Sequence, residues 1–268
     1  QLVNSLTENG LVDVAKGILT TDLVEKYCSV SFEVNGETVN LSGVAKGSGM
    51  IRPNMATMLS FIVTDIGASQ DELQQCLNIS VNQSFNRITI DGDTSTNDAC
   101  TLSATNQSGI LYSQCKVEFQ NALNELTKKL AHMIVKDGEG ATKFVEVRVS
   151  GLESNEDCLE VAYTVAHSPL VKTALFASDA NWGRILAAVG RARVEGISFE
   201  NINISLNEVQ IISSGEISEQ YTEEAGSREM KKSEITIRID LGGFKTNESV
   251  WTTDLSYDYV KINAEYRS

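Results

Sequence analysis

The spacing needed for a metal or redox centre, an apolar run of membrane length and an excess of positive charge are all missing from this chain. Its 268 residues include two histidines, His132 and His167, which lack the spacing of a zinc site or a catalytic triad. The five cysteines, Cys28, Cys76, Cys100, Cys115 and Cys158, lie far apart with no C-x-x-C pair. That pattern excludes a zinc or dithiol motif and reads as buried free thiols in a reducing compartment, the cytoplasm or, in a eukaryote, an organelle. No apolar run approaches the ~18 residues of a membrane span. The opening QLVNSLTENG has neither the basic nor the apolar region of a signal peptide, and it has no starting methionine, so Gln1 reads as interior to a longer protein. Lys and Arg total 22 against 36 Asp and Glu, a formal charge of -14. Such a surface repels nucleic acid and anionic membrane, and a small-molecule partner is expected.

What is present is a length sufficient for one large or two ordinary domains. Leu2 to Lys16 carries apolar residues at helical intervals, and GILTTD reads as a short strand leading into a helix capped by Asp22 or a neighbouring Thr. The stretch from Val30 to Ile51 alternates in strand fashion around Asn35-Gly36, a hairpin signal. MLSFIVTDI is a continuous apolar run of the kind found in buried strands. Ser69 and Glu72 have capping-box spacing and open a helix to about Phe85, after which ITIDGD reads as another strand. Asn121 to Lys136 places Leu123, Leu126, Leu130, Met133 and Ile134 on one helical face. From Phe144 the pattern turns to short alternating segments, VEVRVSG, LEVAYTVA, INISLNEVQII and EITIRIDLGG, with helices expected at 169–176 and 182–194. The domains are therefore drawn as 1–143 and 144–268, and Gly215 to Lys232 as a solvated loop with a helical turn.

Several apparent motifs fail on spacing. Gly47-Ser48-Gly49 lacks the third glycine of a dinucleotide fingerprint and is followed by Pro53. Asp91, Asp93, Asn97 and Asp98 have glycine at the wrong position for a calcium loop and read as a polar turn. One feature of KGSGMIRPNMATML, residues 46–59, points elsewhere. Thr57 follows the small residue Ala56 immediately before an apolar strand. An Ala-Thr pair is usually an ordinary core or loop pair. Cleavage between Ala56 and Thr57, however, would place a hydroxyl nucleophile and a free α-amine on one residue. The unperturbed pKa of such an amine, about 7.7–8.0, suits a base working near neutrality. Lys46 could lower it electrostatically or hold a substrate carboxylate.

In order along the chain, the TTD at Thr20 to Asp22, KGSGMIRPNMATML, ITIDGDTSTNDA, DGEGATKF, ASDANWGRI and the terminal NAEYRS resemble the ornithine acetyltransferases, or glutamate N-acetyltransferases, of arginine biosynthesis. The resemblance implies an α/β (α+β) architecture: a layered sheet-and-helix nucleophile domain of the ornithine acetyltransferase/DmpA-like type, with a smaller C-terminal α+β domain. It implies self-cleavage at Ala56–Thr57 into α and β chains, which associate as a dimer of αβ units or higher. Thr57 then takes the acetyl group of N-acetylornithine as an ester and passes it to glutamate in a ping-pong cycle. By the same resemblance the substrate contacts are Thr20 rather than its neighbour Thr21, Lys46, Thr57, Glu139, Asn263 and Ser268, the last a serine where the family usually has threonine. Lys46 suits the substrate carboxylate and Glu139 its amine. No metal or other cofactor is implied, although acetyl-coenzyme A is a conceivable co-substrate.

The family's oxyanion hole, a Thr-Gly pair, lies upstream of the TTD motif and has no counterpart here. An oxyanion donor is worth about 2.7–4 kcal/mol, so this chain alone is expected to be nearly inactive. Two alternatives stand beside the acetyltransferase. One is a terminal-threonine aminopeptidase or amidase. The other is an uncleaved, inactive fragment acting only in binding or assembly.

Overall fold

The computed structural model describes residue 7 and residues 10–52, 58–94 and 98–265; Ala56, Thr57 and Ser268 lie outside the described residues. The chain divides into two compact units, 1–138 and 139–268. The break therefore precedes the expected boundary after Lys143. The sequence pattern changes where a strand starts, at Phe144, whereas the chain leaves the first unit at the turn that ends the preceding helix.

The first unit begins with helix α1 (Leu11–Gly17) and strands β1 (Lys26–Val34) and β2 (Glu37–Lys46). Asn35 and Gly36, both at positive φ, close the β1–β2 hairpin at the expected place, since only such residues adopt the primed turn cheaply. GILTTD forms neither strand nor helix start; Thr20 to Asp22 is a turn, for reasons given below. Strand β3 (Leu59–Thr64) pairs antiparallel with β2 and parallel with β4 (Ala99–Ala104), completing the order β1-β2-β3-β4. β3 is not buried on both faces. Ile62 is sealed, while Phe61 and Val63 are 40% and 46% exposed, so only one face of this sheet is covered.

Helix α2 (Gln70–Gln83) starts at the capping box, with the Ser69 side chain accepting from Glu72 N–H and Glu72 returning to Ser69 N–H. Helix α3 (Lys116–Lys136) begins ahead of the expected Asn121 and packs on β1 and β2. Gly43 permits this, because a Cβ there would come within 3.0 Å of Leu130 Cδ1 and 3.1 Å of Leu126 Cδ2. ITIDGD is not a strand; the Ile90 N–H donates to the Ile51 carbonyl at 2.8 Å.

The second unit has a six-stranded sheet in the order β10-β5-β9-β6-β7-β8: β5 (Phe144–Ser150), β6 (Asn203–Leu206), β7 (Val209–Ser213), β8 (Glu216–Ile217), β9 (Glu234–Asp240) and β10 (Asn247–Thr253). Its helices are α4 (Asn155–Ala166), α5 (Pro169–Phe176), α6 (Trp182–Arg191), α7 (Glu223–Met230) and α8 (Tyr257–Glu265). LEVAYTVA, expected as a strand, lies within α4. Its apolar residues alternate along the sequence, but the buried set Cys158, Val161, Ala162, Val165 and Ala166 has helical spacing, and Ser154 caps the helix by accepting from Asp157 N–H. α6 stops at Arg191 rather than Val194, while α5 starts at Pro169 behind the Ser168 cap. The core of this unit gathers β5, β9 and the inner faces of α4 and α6. The combination of mixed sheets and covering helices is the layered α+β architecture expected.

Candidate active site

The TTD turn is fastened to the loop after β2 residue by residue. Thr20 Oγ1 accepts from Lys46 Nζ at 3.1 Å, the Thr21 and Ser48 hydroxyls are 2.7 Å apart, and Asp22 Oδ1 accepts the Gly47 N–H at 2.6 Å. Asp22 also takes the Lys26 ammonium at 2.7 Å, and Lys26, fully buried, reaches Asp137 at 2.5 Å. Burial alone would raise the Asp22 carboxyl, but the Gly47 N–H and the Lys26 amine outweigh it and hold the group below its ordinary range. These partners explain why Asp22 is not a helix cap: its oxygens are committed to the loop and to β1. Of the two adjacent threonines, Thr20 is the exposed one, on the ammonium of Lys46.

The other side of the same loop is held by Asp91. Its carboxylate accepts the N–H groups of Met50 at 2.7 Å and Ile51 at 3.1 Å, and Asp93 N–H at 3.2 Å. The acidic run read as a polar turn is therefore the support of the KGSGMI segment. Met58, the residue after Thr57, is fully buried and sits at the head of β3. Its carbonyl accepts from Ala99 N–H at 3.0 Å, and its own N–H donates to Asp98 Oδ1. The second oxygen of Asp98 is buried with no hydrogen-bond partner among the described residues. Desolvation raises this carboxyl to about 6, against the opposing pull of the Met58 N–H and the Lys46 charge. The sequence placed Asp98 only in a polar turn; its pairing to the residue after the Ala56–Thr57 bond is visible only through the parallel β3–β4 ladder.

In the second unit, Asn263 on α8 donates to Glu139 Oε2 at 2.9 Å across 124 positions of sequence, and to Tyr259 O at 3.0 Å. The rest of DGEGATK explains how Glu139 is held. Gly140, at φ +66°, has no room for a Cβ, which would fall 2.5 Å from Tyr259 N and 2.6 Å from Ser256 Oγ. Ser256 Oγ donates to Gly140 O at 2.7 Å, and the buried Asp254 accepts from Thr142 N, Thr142 Oγ1 and Lys143 N at 2.8, 2.5 and 3.0 Å. The Lys143 amine is turned away to the carbonyls of Met230 and Lys232, and desolvation lowers its pKa.

Of the residues singled out in the sequence, the structure thus pairs Thr20 with Lys46 and Glu139 with Asn263. Thr57, Ala56 and Ser268 are among those outside the described residues. His132 lies on α3, and His167 stacks on Tyr163 with ring centres 5.3 Å apart. All five cysteines are free; Cys76, Cys115 and Cys158 are buried, whereas Cys28 and Cys100 are only partly so.

The ArgJ family pattern matches residues 1–268 without interruption. The chain belongs to the ArgJ family. It is 52% identical over 271 aligned residues to the arginine biosynthesis bifunctional protein ArgJ of Pseudomonas fluorescens, covering 99% of this chain and 67% of that protein. The protein of the same name from Psychrobacter arcticus is 53% identical, over 100% of this chain and 67% of its own length. This chain therefore spans about two thirds of the length of these ArgJ relatives. The crystal structure of the arginine biosynthesis bifunctional protein argJ from Bacillus halodurans superposes with a TM-score of 0.74 at 37% identity, covering 78% of this chain and 100% of that one. Membership makes this an enzyme family of arginine biosynthesis, and the ArgJ fold is the one seen here. No helix among the described residues is long and apolar enough to cross a membrane.

Proposed function

We propose that the protein transfers acetyl from N-acetylornithine to glutamate through an ester on Thr57, after cutting itself between Ala56 and Thr57. The observation that carries the reading is the clasp of Thr20 to Asp22 on Lys46 to Ser48, which presents a half-exposed ammonium from a loop anchored at both ends. An ammonium so held suits a carboxylate, and both N-acetylornithine and glutamate carry an α-carboxylate. Glu139, oriented by Asn263, suits the second, cationic amine of ornithine. Thr57 is the nucleophile, its freed α-amine the base, and Ser268 a further substrate contact.

Support for the cleavage comes from chain length. The Bacillus halodurans chain is matched in full yet covers 78% of this one, close to the share that residues 57–268 make up by themselves. The relatives are named bifunctional. We take acetyl-coenzyme A as the second acetyl donor to the same threonine, with no metal or bound cofactor needed. The α and β chains stay together, as a dimer of αβ units or higher, in the cytoplasm or an organelle.

The test is the intact mass of the full-length protein beside its Thr57→Ala variant, followed by acetyl transfer with and without glutamate. Two chains parted between Ala56 and Thr57 in the parent, one chain in the variant, and turnover that requires glutamate are expected. A single chain in both removes the base and the mechanism with it. Acetate release at the same rate without glutamate would make the site an amidase instead.

A further inference from the structure

On the face of the second unit's sheet that points away from its core, two arginines stand side by side with no acid between them. Alternation along β5 and β9 buries Val147 and Val149, Ile237 and Ile239 on one face, which puts Arg148 and Arg238 on the other. They are register partners on adjacent parallel strands, whose backbones lie about 4.8 Å apart. Like charges set directly opposite one another are destabilising, and an anion placed between them removes the penalty. We propose that this face binds a small molecule through an oxyanion head, a carboxylate or a phosphate, held by Arg148 and Arg238.

The surroundings of the pair form a bounded cavity. Its volume is ≈ 590 Å³, and it is lined toward β7 by Ser205 and Gln210 and toward the β9–β10 connection by Phe244, Lys245 and Asn247. Ser205 is the register partner of Arg238, and Gln210 that of Ser205, so uncharged hydrogen-bonding groups continue the row that the arginines begin. The connection that carries Phe244 and Lys245 is fixed to the end of β5. The N–H groups of Gly243 and Phe244 both donate to the Gly151 carbonyl, at 3.0 and 3.2 Å. Gly151, at φ +89°, lets the two backbones approach so closely that a Cβ there would fall 2.4 Å from Gly242 N. Phe244, 60% exposed, thereby gives the cavity one apolar wall, which suits a ligand with a carbon body rather than a bare ion.

Enough donors remain for such a ligand. A guanidinium carries five N–H groups in a planar fork that matches an oxyanion two bonds at a time. Arg148 gives one nitrogen to Glu146 at 2.9 Å, and Arg238 gives one to the Asn207 carbonyl and one to Glu208 at 3.3 Å. The Glu208 side chain is 90% exposed, so that pair holds Arg238 only weakly. Lys245 adds a third cation at the rim. The single acid in the lining is Asp240, whose Oδ1 accepts from Ser150 Oγ and Gly242 N, both at 3.1 Å. Three cations to one acid in a single cavity stand against a formal charge of -14 for the whole chain.

The inference stands apart from acetyl transfer. Glu139 precedes β5 and Asn263 follows β10, and none of the residues lining this cavity is among those proposed above to contact N-acetylornithine or glutamate. Either reading can therefore fail without the other.

Isothermal titration of the full-length protein with inorganic phosphate and with glutarate tests the proposal. Both titrations use a Lys46→Met background, so that the carboxylate contact assigned above to Lys46 does not contribute. Saturable binding of at least one probe is expected, and the probe that binds names the head group. Arg148→Lys and Arg238→Lys keep the charge and lose the fork, and each should weaken binding by about tenfold or more. Lys245→Gln, at the exposed rim, should weaken it by up to roughly fivefold. No saturable binding of either probe overturns the proposal. So does an affinity that both Arg→Lys variants leave unchanged, which would mark attraction to surface charge without an oriented site. Thermal midpoints show whether the variants are folded; if the arginine variants are not, an unchanged affinity in Lys245→Gln overturns the proposal in their place.

Discussion

Asp22 accepts the backbone N–H of Gly47 at 2.6 Å, so a motif resembling a helix cap instead joins the Thr20–Lys46 and Thr21–Ser48 contacts in a clasp on the loop after β2. The same carboxylate is shared with Lys26, whose other partner, Asp137, closes the end of α3 onto the turn. The clasp therefore depends on a buried cation balanced between two acids.

Lys26→Met should be strongly destabilising. It leaves Asp22 and Asp137 buried without their cation, a change that costs about 3–5 kcal/mol when one partner of a buried pair is removed. Urea unfolding of the variant measures it. The folded pKa of Asp22 lies below its unfolded value, so the stability it contributes is present above about pH 4 and lost as pH falls further. The gap between wild type and variant should accordingly narrow in acid.

Asp98 has the opposite sign. Its folded pKa, about 6, lies above the ordinary 3.8, so ionisation is penalised in the folded state. The penalty is absent below about pH 4 and complete above about pH 6. Asp98→Asn should therefore raise the thermal midpoint at pH 8, and the gain should vanish by pH 4. A midpoint lowered at pH 8 would mean that the carboxylate is a net stabiliser.

Gly140→Ala is expected to displace α8. A Cβ at φ +66° would meet backbone atoms of Tyr259 and Asp258, which cannot swing aside as a side-chain tip does. Strain of this kind costs about 1–3 kcal/mol. Because Asn263 travels with α8, the variant should lose both thermal stability and the Glu139–Asn263 pairing. A double-mutant cycle on Glu139→Gln and Asn263→Ala should show coupling in KM for N-acetylornithine in the wild-type background and little in Gly140→Ala.

Lys46→Met should act on binding rather than folding. Its bond to Thr20 is exposed, so the thermal midpoint should barely move. A hydrogen bond to a charged group is worth about 1.5–3 kcal/mol, which corresponds to a loss in kcat/KM of roughly tenfold to a hundredfold, carried mostly by KM. An unchanged KM for both N-acetylornithine and glutamate would remove Lys46 from the substrate carboxylate.

What the sequence determined by itself was local. The Asn35-Gly36 hairpin, the Ser69/Glu72 cap of α2, the apolar face of α3 and the Pro169 start of α5 each depend on residues within one or two turns of one another, so their signals are contiguous. Where two periods coexist, as in LEVAYTVA, composition could not choose between them; the neighbouring sheet did, by burying the helical set. Blocks such as TTD, KGSG and DGEGATK marked the family and the residues to watch, but not what those residues touch. Thr20 on Lys46, Asp98 on Met58 and Glu139 on Asn263 join positions 26, 40 and 124 residues apart. Such contacts rest on strand register and on how closely a glycine lets two backbones approach. Those are properties of the packed chain, with no signature in any short stretch of sequence.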